Sequence, residues 1–313
     1  YFPPGGAWQE KDAAAYNLNF TDAVEFAEAN EYSESKDLRQ AILKGFQHEP
    51  YHEILGPTKR RGGPAGIILK NGYLVAKWGD TKRVDMTFSV TKSFLSTTAL
   101  LALDENLIAD VEDPVINYVW DDTFEGAHNS KITWKHLLQQ NSDWSGELWD
   151  SFDWADRPPK EGGIDDWRNR ELNKPGTHFK YNDVRVNVLA YSLLNVFRKP
   201  LPTVLKEEIM DPINASSSWR WFGYENSWTT IDGFKMQSVS GGGHSGGGMF
   251  INTEDMARFG LLFMNNGNWN GEKLLKQFLQ QVVERSNHPG VKVIVADNAS
   301  TDGSIDFIKS SSI

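Results

Sequence analysis

A hydroxyl and an amine stand three residues apart in the run Met86-Thr87-Phe88-Ser89-Val90-Thr91-Lys92-Ser93-Phe94. On a helix, positions i and i+3 share one face. A serine is a poor nucleophile until a neighbour takes its proton. A lysine whose pKa is lowered by burial can take that proton or tune the group that does. The spacing by itself carries little weight, because 23 serines and 20 lysines in 313 residues yield about 1.5 such pairs by chance, and the chain has two. The other pair, Ser33 and Lys36, sits among Glu31, Glu34 and Asp37 with no apolar run behind it, and reads as solvated surface. Ser89 instead opens a stretch to about Leu103 that is free of Gly and Pro and rich in Leu and Ala. That stretch predicts a buried helix ended by Asp104-Glu105-Asn106. On it Ser89, Lys92, Ser93 and Ser96 form one polar stripe, which needs partners if it faces inward. A serine at a helix N-terminus also sits where free N–H groups favour a developing negative charge. The same residue types fit a plainer arrangement, with Ser89 a cap and Lys92 reaching solvent.

The elements that must position this pair are legible in outline. Ile67–Lys70 and Tyr73–Trp78 flank Asn71-Gly72, a hairpin signature. Asp22 reads as the cap of a helix through Ala27, with Glu25 at its third position. Residues 110–180 are polar, Trp-rich and broken by Pro and Gly, with a short helix expected at Trp134–Gln140. Apolar helices are expected at Val184–Val196 and Thr253–Met264, and a short one after Pro200 and Pro202. Strands at the ends with helices between predict an α+β fold, an antiparallel sheet carrying an inserted helical region at about 105–235.

Bulk composition narrows the chemistry. A net charge of −10 argues against nucleic acid or an anionic membrane as the main partner. The chain has no cysteine, which excludes disulfides, thiolate nucleophiles and thiolate metal sites. No apolar run is long enough to span a membrane. His48 and His52 have a spacing that can hold zinc on a helix, but Pro50 between them disfavours one. We read them as surface or loop histidines and expect no metal and no cofactor. Trp144, Trp149, Trp154 and Trp167 cluster in one polar stretch, where loop aromatics often line a cleft. Trp144 and Trp149 are the site-edge candidates. The chain starts at Tyr1, which we read as a processed or trimmed start, as in a periplasmic or secreted protein; composition does not separate this from a cytoplasmic one.

The run around Ser89 resembles the first motif of the serine hydrolases related to class C β-lactamases, DD-peptidases and esterases of the same fold, most nearly the 6-aminohexanoate-dimer hydrolase group. Asn71–Val75 resembles the hairpin that precedes the nucleophile. Ile132–Ser142 resembles the Ile-Thr-x-x-x-Leu-Leu segment. Pro175-Gly176 with Phe179–Asp183 resembles the Pro-Gly … Tyr-x-Asn motif, and Gly246–Phe259 the Gly-Gly-hydrophobic … Asp-hydrophobic-Ala-Arg-Phe segment. The resemblance covers roughly residues 1–275 and implies a β-lactamase-like fold. It implies that Ser89 forms an acyl-enzyme on a small-molecule ester, amide or β-lactam, with Lys92 sharing proton handling and Tyr181 relaying the proton. The Ser89 backbone N–H becomes one oxyanion donor.

Two departures follow. Asp183 stands where the motif has Asn; beside Lys92 it would hold the amine protonated, and pointing away it would not. The family's third motif and its strand, which supplies the second oxyanion donor, belong after the helix containing Met256–Phe259. His244-Ser245-Gly246 imitates that motif but precedes this helix, so His244 is a site-edge residue or a plain loop histidine. Residues 276–313 form an atypical tail, as if the ending were truncated or replaced. Pro289–Ser304 resembles the first strand and loop of family 2 glycosyltransferases over about 25 residues, too few for a transferase domain. Val291–Ala296 is expected to pack as a replacement strand. The alternative function is a penicillin-binding-like or degenerate member that acylates slowly or only binds. Oligomeric state is not legible.

Overall fold

In the computed structural model, which describes residues 1–276, two short helices come first, α1 (Thr21–Ala29) and α2 (Leu38–Gly45). Asp22 lies in the first turn of α1 and does not cap it. The Thr21 N–H is already taken by the Asn19 side chain at 2.9 Å. Strands β1 (Gly66–Lys70) and β2 (Tyr73–Trp78) form the expected antiparallel hairpin. Its turn needs left-handed backbone twice, and Asn71 (φ 53°) and Gly72 (φ 82°) supply it. A side chain on Gly72 would also run into the Tyr1 carbonyl, 1.8 Å from the position of a Cβ.

Strand β3 (Asp85–Met86) leads through one turn of 3₁₀ helix, Phe88–Val90, into α3 (Thr91–Asp104). Helix α4 (Trp134–Leu138) is shorter than expected. Thr133 caps its start through a reciprocal pair of bonds with His136, and Gln140 turns left-handed (φ 53°) just past its end. Helix α5 (Asp183–Phe197) starts where the Asn182 side chain accepts the Arg185 N–H at 3.0 Å, and α6 (Leu201–Leu205) follows. Strands β4 (Arg220–Ile231), β5 (Phe234–Val239) and β6 (Gly248–Ile251) then form a fully antiparallel sheet with β3, in the order β3-β6-β4-β5. The sheet therefore resumes at Arg220, inside the region read as a helical insert to 235. Helix α7 occupies Thr253–Met264 as expected, capped by Asn252.

Helices α3 and α5 pack against each other over this sheet. Phe94, Leu95, Ala99 and Ala102 from α3 meet Val188, Leu189 and Leu193 from α5 and Val239, Met249 and Ile251 from the strands, all buried. Each large side chain so buried contributes about 1.5–3 kcal/mol. The N-terminus is tied to α7 by its buried Arg258, which donates to the Pro3 and Pro4 carbonyls at 2.8 Å. After α7, the described residues hold only a small hairpin, Asn268–Trp269 with Glu272–Lys273. The expected strand Val291–Ala296 and the segment Pro289–Ser304 lie outside the described residues. Among the described residues, no helix is long and apolar enough to cross a membrane.

Candidate active site

Ser89 sits in the 3₁₀ turn before α3, one residue after Phe88, whose φ of 47° is left-handed. That conformation is costly for a bulky residue and persists only where surroundings fix it. They do so here from strand β6. The N–H and hydroxyl of Thr87 both donate to the Met249 carbonyl at 2.9 Å, and the Thr91 hydroxyl accepts the Met249 N–H at 2.9 Å. The start of α3 is thus stitched to the sheet on both sides of Ser89.

One turn on, the Lys92 Nζ donates to the Ser89 Oγ at 3.1 Å. The Tyr181 hydroxyl donates to the same oxygen at 2.5 Å. Lys92 also lies 4.6 Å from the centre of the Tyr181 ring. The inward stripe expected on α3 is realised only in part. Ser89 and Lys92 converge, whereas Ser93 is exposed and Ser96 bonds back to the Ser93 carbonyl at 3.0 Å.

Asp183 points at the amine. Its Oδ1 accepts from Lys92 Nζ at 2.6 Å, and its side chain is 3% exposed. Burial works against the charge on Lys92, but the facing Asp183 and Tyr181 outweigh it and hold the ammonium above its ordinary value. Burial likewise opposes the Asp183 charge, and Lys92, Arg157 and His244 overcome it, leaving the carboxyl well below the usual carboxylate range. Lys92 is therefore an ammonium in the resting site, not a free amine.

A second layer surrounds Asp183, built largely from residues whose roles sequence reasoning did not detect. Arg157 Nη1 lies 2.8 Å from Asp183 Oδ2 and 2.5 Å from Asp156 Oδ1. The backbone N–H of Arg157 donates to Glu49 Oε1 at 3.1 Å, and its guanidinium lies 5.0 Å from the Tyr181 ring centre. His244 Nε2 is 2.7 Å from Glu49 Oε2, and its Nδ1 is 3.8 Å from Asp183 Oδ2. Burial disfavours a charged His244, yet Glu49, Asp156 and Asp183 prevail and raise its pKa. His52 goes the other way, lowered by burial and by His244. It packs on His244 with ring centres 4.8 Å apart, while His48 is exposed, so the two do not pair as a metal site.

The structure thus places His244 one step behind Asp183, on the side away from Lys92. Its neighbours in the loop do structural work. The Ser245 carbonyl accepts the N–H groups of Leu55 and Gly56 at 2.9 Å, and Gly246 takes φ 83° against the Gly56 backbone. Gly242 in the same loop lies on the ion pair itself. A Cβ there would fall 1.8 Å from Asp183 Oδ1 and 2.4 Å from Lys92 Nζ.

A cavity of about 200 Å³ opens beside this network, lined by Glu49, His52, Phe152, Asp183, Tyr224 and His244 among others. The tryptophan expectation fails here. Trp144 is 2% exposed and belongs to the core, its indole N–H donating to the Thr123 carbonyl at 2.8 Å. Trp149 sits behind Tyr224, ring centres 6.1 Å apart, and does not line the cavity. Tyr51 and Phe152 supply the aromatic wall instead. Glu49, His52 and His244, and likewise Asp156, Asp183 and His244, bring atoms of ligand type within 4.8 Å of one another. Glu49 Oε2 and His244 Nε2 face each other at 2.7 Å, and Lys92 and Arg157 face the Asp183 carboxylate, while Asp183 Oδ2 and His244 Nδ1 are buried without a hydrogen-bond partner.

A family model described as Beta-lactamase matches residues 55–293. No curated protein matches the chain. Among solved structures, the chain is similar to a protein of Bacillus anthracis assigned as a 6-aminohexanoate-dimer hydrolase. The identity is 17%, with 81% of this chain and 77% of that one covered and a TM-score of 0.49. It is also similar to an octameric penicillin-binding protein homologue from Pyrococcus abyssi, at 16% identity, covering 65% of this chain and 52% of that one with a TM-score of 0.46. A beta-lactamase/D-alanine carboxypeptidase from Yersinia pestis matches at 17% identity, covering 72% and 68% of the two chains with a TM-score of 0.44.

Proposed function

Since the chain belongs to the beta-lactamase family, we propose that it is a serine hydrolase that cleaves short esters or amides through an acyl-enzyme on Ser89. The observation that carries this reading is the convergence of Tyr181 at 2.5 Å and Lys92 at 3.1 Å on one serine oxygen. Ser89 Oγ attacks the carbonyl carbon and gives its proton to the Tyr181 oxygen as the Tyr181 hydroxyl proton passes to the departing alcohol or amine, so Tyr181 loses one proton and gains one. Water then attacks the acyl carbon and gives one proton to Tyr181 as the Tyr181 proton passes to the Ser89 oxygen and the acid leaves. Lys92 stays charged throughout. Its ammonium offsets negative charge as it moves between the serine and tyrosine oxygens, the role that preorganised charge plays best in a dry site. The Ser89 N–H faces the developing oxyanion.

Intact mass spectrometry after treatment with a fluorophosphonate tests this. The expected result is one adduct on Ser89, absent in Ser89→Ala, with turnover of p-nitrophenyl acetate lost in the same variant. A folded wild-type protein that takes up no label and turns over no ester overturns it.

The close Asp183–Lys92 pair favours a second reading, a penicillin-binding-like protein that acylates and then stalls. A burst of p-nitrophenol equal to one site, followed by almost no steady rate, marks that case.

A further inference from the structure

We propose that Arg157 and His244 are positioning residues for the reaction at Ser89. Together their charges face the outer oxygen of Asp183 and so set how tightly Asp183 grips the Lys92 ammonium. The proposal rests on Ser89 being the nucleophile.

Asp183 divides its two oxygens. Oδ1 faces Lys92 at 2.6 Å; Oδ2 faces Arg157 at 2.8 Å and His244 at 3.8 Å. A buried carboxylate with a single cation concentrates its pull on that cation and draws it away from weaker, neutral acceptors. Lys92 must instead keep reaching Ser89 at 3.1 Å. Cations on the far oxygen draw carboxylate charge away from the near one, so Lys92 is shared between Asp183 and Ser89.

Both cations are anchored for this task. Arg157 is fixed by Asp156, by its own N–H on Glu49, and by the faces of Phe46 and Tyr181, whose ring centres lie 5.1 and 5.0 Å away. His244 is fixed by Glu49 at 2.7 Å and by the Phe46 ring, centre to centre 4.0 Å. The charged and titratable groups facing His244 are Glu49 and His52 from the segment after α2, Asp156 and Arg157 from the loop before α5, and Asp183 from α5 itself. With His244 protonated, three carboxylates (Glu49, Asp156, Asp183) meet three cations (Lys92, Arg157, His244). When His244 loses its proton, Asp183 Oδ2 keeps one cation and its hold on Lys92 tightens. Acylation therefore falls as pH rises through the His244 ionisation.

The test measures the rate of Ser89 labelling by a fluorophosphonate from pH 5 to pH 10, with thermal unfolding to verify folding. Arg157→Met is expected to slow labelling by about tenfold or more, and Arg157→Lys, which restores a point charge, to stay within about threefold of wild type. In an Asp183→Asn background the loss of Arg157 is expected to cost less than about twofold, because no carboxylate remains to be shared. The alkaline decline assigned to His244 is expected to vanish in His244→Asn and to survive in His52→Asn. A second readout does not need Ser89 to react: the Lys92 ammonium, followed by NMR, titrates higher in Arg157→Met and in His244→Asn than in wild type. An equal cost of Arg157→Met in both backgrounds, a histidine step that persists in His244→Asn, or an unmoved Lys92 titration overturns the proposal. A folded wild type that is never labelled overturns the Ser89 reading, and the Lys92 titration still decides the role of Arg157 and His244.

Discussion

Two buried charge clusters lie within the same half of this molecule, and they are built from different side chains. In one, Arg170 grips Asp143 with both terminal nitrogens, at 2.9 and 2.8 Å, and Arg185 bridges Asp143 and Asp153 at 2.7 and 3.0 Å. Arg185 also donates to the Trp144 carbonyl at 3.0 Å, so this cluster fastens the Trp-rich loop to α5. It contains arginine and aspartate only, groups that do not change charge near neutral pH. The other cluster holds Lys92, Arg157, His244, Glu49, Asp156 and Asp183, and it touches Ser89. Lysine and histidine are the cations that a protein can discharge. The contrast separates a cluster built to stay fixed from one built to respond, though both are buried and both are salt-bridged.

That contrast can be broken most sharply with one substitution in each cluster. Lys92→Met should abolish Ser89 acylation, a loss of about 10³-fold or more, while leaving the folded state in place, as read by ester turnover beside circular dichroism. Arg185→Met should do the reverse. It leaves the buried Asp143 and Asp153 carboxylates with Arg170 as their one remaining arginine and should cost about 3 kcal/mol of stability by urea unfolding, with Ser89 still reactive in the molecules that remain folded.

The pH dependence of stability sharpens the comparison further. Asp143 and Asp183 both have depressed folded-state values, despite burial that opposes this, because Arg170 and Arg185 hold the first and Lys92 and Arg157 the second. Each contributes stability above the ordinary Asp value of 3.8 that is lost as pH falls through the folded value. His244 is raised, so its contribution is complete below the ordinary histidine value of 6.5 and is lost as pH rises through the folded one. Unfolding midpoints from pH 3 to pH 9 should therefore show an acid limb reduced by Asp143→Asn and an alkaline limb removed by His244→Asn. The smallest effect belongs to the other Ser-x-x-Lys pair. Lys36 meets Glu31 at 2.9 Å on the surface, and Ser33 is exposed. Ser33→Ala with Lys36→Met should leave ester turnover within about twofold of wild type.

The innermost layer of the candidate site is legible because its members sit in ordered motifs. The companions of Ser89, Lys92 and Tyr181 along the chain mark them, and the structure brings the three side chains together, while period, caps and Asn-Gly mark the helices and hairpin around them. The second layer is not. Glu49 and Arg157 lie in irregular loops, where no periodicity marks a buried charge. The direction of Asp183 depended on partners 26 and more residues away, Arg157 the nearest of them. The tryptophans misled for a related reason. An indole in a polar loop can line a cleft or plug a core, and what decides for Trp144 is one carbonyl, that of Thr123, which its N–H can reach only in the folded chain.

The contacts that make the site also join residues far apart in the chain. Tyr181 meets Ser89 across 92 positions, Lys92 meets Asp183 across 91, and Glu49 meets His244 across 195. Loop closure over such spans is slow and unrewarded until the intervening core has formed. A chain still being synthesised would thus have Ser89 and its helix long before it has the glycine-rich loop that seals them. The Ser89 hydroxyl therefore meets its partners late, once Tyr181 and strand β6 have closed on α3.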